Sequence, residues 1–279
     1  MSLQSIPINI KQLRSACSTC SLQELCLPAG LDQGELERLD TIVNRKRPLK
    51  RGDYLYRAGT TLQSLFAIRT GFLKSSVLHD DGREQVAGFH MMGELLGMDA
   101  IGSGKHICDA IALEDSDVCE IPFGELEQLS RDIPTLQQHF HRIMSREITR
   151  DYGVMLLLGS MRAEERLAAF LLNLSQRFAA RGYSPLRFNL RMTREEIGSY
   201  LGLKLETISR AFSRFQSEGL VSVKNKSIEI KDLERLRALV ARGHQGRCLL
   251  PERHAVQLLR RAVRPRRTGR PACASGRDP

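Results

Sequence analysis

Tryptophan is absent, and Phe, Trp and Tyr together supply only 5% of the residues, so the cores are expected to rest on aliphatic packing. No apolar run reaches the length of a membrane-spanning helix before a charge interrupts it, which argues against a transmembrane segment. The opening MSLQSIPINIKQLRSAC lacks a basic stretch followed by an apolar core and a small-residue cleavage site. A cytoplasmic chain is therefore expected. There the seven cysteines, an odd number, are better suited to thiolate or metal-ligand chemistry than to structural disulfides. No Gly-x-Gly-x-x-Gly opens a strand–helix unit and no Cys–His nucleophile pair stands out, which weakens enzymatic readings.

What the chain does have is size and an uneven charge. Its 279 residues, 42% apolar, suffice for two modest domains or one large one. Residues 1–161 carry 17 Lys/Arg against 21 Asp/Glu, residues 162–241 carry 15 against 9, and residues 242–279 carry 10 against 2. An acidic sensory or assembly half joined to a module that could meet a polyanion fits that asymmetry.

Gln33 to Val43 reads as a short helix. From Arg45 to Phe123 short β-type pieces take over, such as Tyr54–Tyr56, Leu65–Ile68, Leu73–Leu78 and Val118–Ile121, punctuated by glycine, with Asp80-Asp81-Gly82 as a hairpin signal. This texture predicts an antiparallel roll rather than alternating β and α units. After Pro134, Leu136, Phe140, Ile143 or Met144, Ile148, Asp151, Met155 and Leu158 recur at helical spacing. A helix of that length outruns one small roll, so its stripe asks for a partner helix.

Glu164 to Ala180 reads as another helix and Arg187 to Leu190 as a short strand. Next comes T-R-E-E-I-G-S-Y-L-G-L-K-L-E-T-I-S-R-A-F-S-R-F-Q. Thr193 and Glu196 form a capping box, Gly202 permits a sharp exit, and a second helix runs from about Leu205 to Glu218 with Ile208, Phe212 and Phe215 inward. Glu206, Ser209, Arg210 and Ser213 share its opposite face, where they could meet base edges. Residues 219–230 read as a hairpin whose tip carries Lys224 and Lys226, a wing suited to phosphate.

The N-terminal cysteines form C-S-T-C-S-L-Q-E-L-C, giving Cys17, Cys20 and Cys26. Three soft ligands so close together suit an iron–sulfur centre or zinc ahead of metal-free redox thiols or unliganded cysteines, and spacing supports a metal better than it names one. A fourth ligand must come from elsewhere: Cys108 or Cys119, with His90 and His106 as weaker choices.

Residues 17–241 resemble the CRP/FNR superfamily, specifically its oxygen-sensing fumarate and nitrate reduction regulator branch. The segments L-F-A-I-R-T-G, G-F-H-M-M-G-E-L-L-G-M-D-A-I-G, D-V-C-E-I-P-F, A-E-E-R-L-A-A-F-L and E-T-I-S-R carry the likeness together with the cysteine segment. The resemblance implies an α+β chain: an N-terminal jelly-roll-like β-roll of the cyclic-nucleotide-binding-domain type, a long dimerisation helix and a C-terminal winged helix-turn-helix. It implies one oxygen-labile [4Fe–4S] cluster per subunit on Cys17, Cys20, Cys26 and Cys119, and base contacts from Glu206, Ser209 and Arg210. The implied partners are a second copy of the chain, RNA polymerase and palindromic double-stranded DNA resembling TTGAT, four bases, ATCAA. The dimer switch it implies sits on the long helix, with Asp151 facing its symmetry mate beside Ile143, Met144, Ile148 and Met155.

The expected layout is a cluster-binding segment over 1–30, a roll over 31–130, the dimerisation helix over 131–160, the winged helix over 161–241 and a basic, disordered tail over 242–279. Cyclic nucleotide is not expected. Members that bind it follow Gly-Glu-Leu with Arg-Ser/Thr-Ala, whereas Gly93-Glu94-Leu95 is followed here by G-S-G-K-H-I-C-D-A, which lacks the arginine fork. A zinc-stabilised or thiol-redox regulator is the alternative, with an iron–sulfur redox enzyme behind it.

Overall fold

A computed structural model of the chain describes residues 17–45, 48–79 and 82–243. The start of the expected cluster-binding segment, the Asp80–Asp81 turn and the tail beyond residue 243 lie outside the described residues.

The first helix, α1 (Gln33–Ile42), begins at a capping box in which the Glu35 amide donates to Asp32 Oδ1 at 2.8 Å and the Asp32 amide donates back to Glu35 Oε2 at 3.0 Å. Eight strands follow: β1 (Asn44–Arg45), β2 (Tyr54–Tyr56), β3 (Ser64–Thr70), β4 (Phe72–Leu78), β5 (Glu84–Met91), β6 (Leu95–Leu96), β7 (Asp109–Ala112) and β8 (Asp117–Pro122). They form two four-stranded antiparallel sheets, ordered β1-β8-β3-β6 and β2-β7-β4-β5. Between the sheets pack Tyr56, Phe66, Ile68, Leu73, Ala110 and Val118.

Strand alternation gives β3 two allegiances. Phe66 and Ile68 enter the roll, while Leu65 and Ala67 face outward and join Leu27, Leu36, Leu39 and Leu126 in a second core. That second core places the cysteine segment. One of its walls is α2 (Phe123–Asp132), a helix the strand-rich reading of this region does not anticipate.

The long helix α3 (Pro134–Ser160) has 27 residues and starts on a proline, which presets φ for the first turn. Next come α4 (Ala163–Ala180), β9 (Arg187–Asn189), α5 (Arg194–Leu201), α6 (Leu205–Ser217), β10 (Val221–Lys224), β11 (Ser227–Ile230) and α7 (Leu233–Gly243). The last three strands form a sheet ordered β10-β11-β9. Its core holds Phe212 and Phe215, both 1% exposed, and burial of each side chain is worth about 1.5–3 kcal/mol.

This core does not stop at the domain. Phe72, Val86, Phe89 and Met91 of the roll join Leu167, Phe170 and Phe212 in it. At its edge the Val86 amide donates to Ser199 Oγ at 2.8 Å, and Lys74 Nζ bridges Glu84 at 2.7 Å and Glu196 at 3.1 Å. The first helix of the two-helix unit is thereby seated on the β4–β5 hairpin. Among the described residues no helix is long and apolar enough to cross a membrane.

Candidate metal centre and nucleic-acid interface

The cysteine segment is wound into two short 3-10 turns, Cys17–Thr19 and Gln23–Leu25. Asp40 on α1 fixes the first, accepting from the Cys17 amide and, at 3.0 Å, from the Ser18 hydroxyl. The Cys26 carbonyl lies 3.1 Å from His139 Nε2 on α3, so the end of the segment is tied to the long helix. Leu27 anchors it in the second core at 1% exposure.

Cys119 arrives from β8, where it pairs across the sheet with Ala67. Cys17, Cys20, Cys26 and Cys119 all line one partly open hollow, walled by Leu27, Ala67 and Ile121. Cys108 lies elsewhere, buried in the roll with its Sγ 3.4 Å from Asp99 Oδ2. His106 stacks on Tyr56, and His90 lies 3.0 Å from the Ser75 hydroxyl. None of these three lines the hollow, so three choices left open by spacing are placed away from the N-terminal cysteines.

Burial, then Asp40, then the neighbouring Cys26 and Cys119, hold the Cys17 thiol far above its ordinary value. Burial likewise pushes Cys26 up to about 12, against a backbone hydrogen bond that opposes it. Such thiols stay protonated on their own, and a positively charged metal centre is what turns them into thiolates. Four soft donors around an apolar hollow suit an iron–sulfur group. Among the described residues no group of three or more His, Cys, Asp or Glu closes to the spacing of a single metal ion.

The second site is the exposed side of α5 and α6. Thr193 caps α5, accepting from the Glu196 amide at 3.1 Å, and the Thr193 amide donates to Glu196 Oε2 at 2.7 Å. Gly202 ends it at φ 63, the left-handed conformation that glycine adopts without strain. The chain then re-enters as α6 with Ile208, Ala211, Phe212 and Phe215 buried. Glu206 and Arg210 are exposed on the other side and Ser209 is half-buried. Ser213 turns its hydroxyl onto the Ser209 carbonyl at 3.0 Å. Lys224 and Lys226 are exposed at the hairpin tip, flanking Asn225 at φ 55.

Sequence reasoning missed Arg194. Its Nη1 donates to Ser209 Oγ at 3.3 Å and its guanidinium lies 5.5 Å from the Phe212 ring centre. A cation at the first position of a capped helix beside a reading helix is the signal that could have found it.

The seam on α3 divides in two. Ile143 is only 7% exposed and sits with Leu136 in the chain's own second core, because the first half of α3 packs on the roll; the expectation that it lies on a free dimer seam is corrected here. Met144 is half-buried. Further along, Ile148 at 53% and Met155 at 64% are exposed around Asp151, and Tyr152 and Leu156 are exposed with them.

A β-roll, a long helix with a bare apolar end and a winged two-helix reader define the class: a DNA-binding regulator of the CRP/FNR type. A Crp-like helix-turn-helix domain matches residues 165–239, and a cyclic nucleotide-binding domain matches 46–132. Over 228 residues the chain is 52% identical to the fumarate and nitrate reduction regulatory protein of Salmonella typhimurium, covering 82% of this chain and 90% of that one. Identity to the protein of that name from Escherichia coli K12 is 51%, with the same coverage. The solved structure of FixK2 from Bradyrhizobium japonicum is 28% identical, with a TM-score of 0.65 over 71% of this chain and 97% of that one. The chain belongs to the fumarate and nitrate reduction regulatory protein family.

Proposed function

We propose that this regulator senses oxygen through one [4Fe–4S] cluster per subunit, held by Cys17, Cys20, Cys26 and Cys119, and controls genes of anaerobic metabolism in the cytoplasm. The observation that carries the reading is the convergence of four cysteines from two distant segments on one hollow. When bound, the cluster supplies oxygen-labile iron–thiolate chemistry. The protein's part is to hold the loop: Asp40 pins its start, Leu27 buries its end, and His139 links it to α3.

In the loaded state the chain acts as a homodimer, its seam formed by Ile148, Met155 and neighbouring residues of α3. Asp151 faces its symmetry mate there, and like charges weaken the pair until the loaded state adds compensating contacts. Each α6 then takes one half-site of a palindrome resembling TTGAT, four bases, ATCAA. Arg210 presents a bidentate fork to guanine, Glu206 accepts from a cytosine amino group, and Ser209, held by Arg194, makes a closer polar contact. Lys224 and Lys226 meet phosphate. RNA polymerase is the partner for activation. The roll is read as holding no cyclic nucleotide, since the segment after Gly93-Glu94-Leu95 lacks the arginine fork that would hold its phosphate.

Iron, sulfide and visible absorbance of protein purified without oxygen test the ligand set. Each of Cys17→Ser, Cys20→Ser, Cys26→Ser and Cys119→Ser should lose most of the absorbance, and Cys108→Ser should keep it. Loss in Cys108→Ser with retention in Cys119→Ser overturns the fourth ligand. A colourless zinc protein favours the zinc-stabilised alternative.

A further inference from the structure

Glu94 lies between β5 and β6, and its side chain is 15% exposed. Its Oε1 accepts from Arg181 Nη2 at 2.6 Å and Arg177 Nε at 3.1 Å; its Oε2 accepts from Arg177 Nη2 at 2.6 Å and the Met91 amide at 3.2 Å. Arg150 Nη1 approaches Oε2 to 3.6 Å. Arg150 belongs to α3, Arg177 to the last turn of α4 and Arg181 to the C-cap that ends α4. One carboxylate of the roll therefore holds both the helix that carries the dimer seam and the helix that supports the DNA reader. Burial alone would push that carboxyl up, but Arg177, Arg150 and Arg181 outweigh it and hold it down to about 2, so it is ionised at neutral pH.

The same turn touches the cysteine loop. Gly93, at φ +84, lies so close to it that a Cβ there would stand 3.0 Å from Leu25 Cβ, between Cys20 and Cys26. The Gly93 amide donates to the Ile68 carbonyl at 2.8 Å and the Ile68 amide donates to the Glu94 carbonyl at 3.0 Å. Ile68 itself lines the hollow, next to Ala67, which pairs with Cys119. Leu25, Gly93, Glu94 and the three arginines thus form an unbroken physical chain from the hollow to both helices.

We propose that Glu94 is the positioning residue through which the state of the cysteine loop reaches α3 and α4. A loop held in place holds the Gly93–Glu94 turn, and the carboxylate then fixes Arg150, Arg177 and Arg181 in one register. Release of the loop lets the turn shift, and the two helices lose their common anchor. Packed interfaces convert such small shifts into discrete rearrangements. This inference rests on the cluster reading above, so its test must separate the two.

Wild-type protein, Glu94→Gln and Glu94→Asp are purified without oxygen, and iron and sulfide are measured. DNA affinity is then taken for each, loaded and after air exposure. Glu94→Gln should keep iron and sulfide at wild-type levels while the ratio of air-exposed to loaded Kd falls roughly tenfold, with Glu94→Asp restoring most of it. A purely structural role would lower both affinities and leave the ratio alone, which overturns the inference. So does an unchanged ratio in a fully loaded Glu94→Gln. Wild-type protein without iron removes the cluster reading itself, and the coupling built on it. Should Glu94→Gln not fold, Arg150→Gln removes only the α3 arm: a reduced ratio supports the inference and an unchanged one overturns it.

Discussion

At the scale of single residues, reading bases and attracting phosphate are separable. Arg210 and Glu206 project from an α6 whose other face is locked by Ile208, Phe212 and Phe215, so their aim is set by packing. Arg210→Ala should cost roughly 1–3 kcal/mol per half-site on the matched palindrome and flatten the preference over sites with the contacted guanine replaced. Lys224→Ala and Lys226→Ala should weaken both sites alike and lower the salt slope by about one per lost contact. Titrations at several salt concentrations check both, and full sequence preference in Arg210→Ala removes it as the principal reader. His90 gives a pH prediction. Burial, then Arg150, lowers its pKa from 6.5 to about 3, with Glu94 partly opposing. Between those values the unfolded chain binds a proton the native one excludes, so stability is present above about pH 6.5 and is lost as pH falls toward 3. His90→Gln should flatten urea midpoints measured between about pH 7 and pH 5. Equal slopes in the two proteins would assign the acid sensitivity to other groups.

At the scale of elements, the tight corner between α5 and α6 decides the reader's shape. A Cβ on Gly198 would stand 2.6 Å from the Leu203 carbonyl oxygen, a backbone atom that has no rotamer to escape through. Helix propensity favours alanine over glycine by about 0.8–1 kcal/mol, but overpacking against backbone should win, and Gly198→Ala should destabilise by about 1–3 kcal/mol in urea. A neutral or stabilised variant would mean the corner opens freely. The capping box at Thr193 and Glu196, the turn at Gly202 and the β10–β11 wing are legible in sequence because their partners lie within a few residues. The roll is legible from its short strands and glycines, though the order of its strands is not. Ile143 shows where periodicity stops: Ile143 and Ile148 belong to the same apolar pattern, and only the packing of α1 and α2 decides that one is covered and the other bare. Glu94 and its three arginines, spread over residues 94–181, leave no local signal at all. Nor does the shared hollow of Cys119 and the N-terminal cysteines, which the family likeness implied and the pairing of β8 with β3 explains.

At the scale of the whole molecule, the proposed mechanism makes the fold a relay. The cysteine hollow lies on one sheet, the reader is seated on the other, and α3 runs past both. A ligand held only by the ordered loop stabilises whatever state that loop supports, and a homodimer whose half-sites lie roughly 34–36 Å apart needs both readers placed at once. The central claim is that cluster occupancy governs DNA binding. The most direct test titrates anaerobically loaded protein with air-saturated buffer, reading iron–sulfur absorbance and fluorescence anisotropy of labelled palindromic DNA in the same sample. The account predicts that affinity falls in step with bleaching, as dimers separate. Bleaching to completion with the DNA affinity unchanged would contradict it.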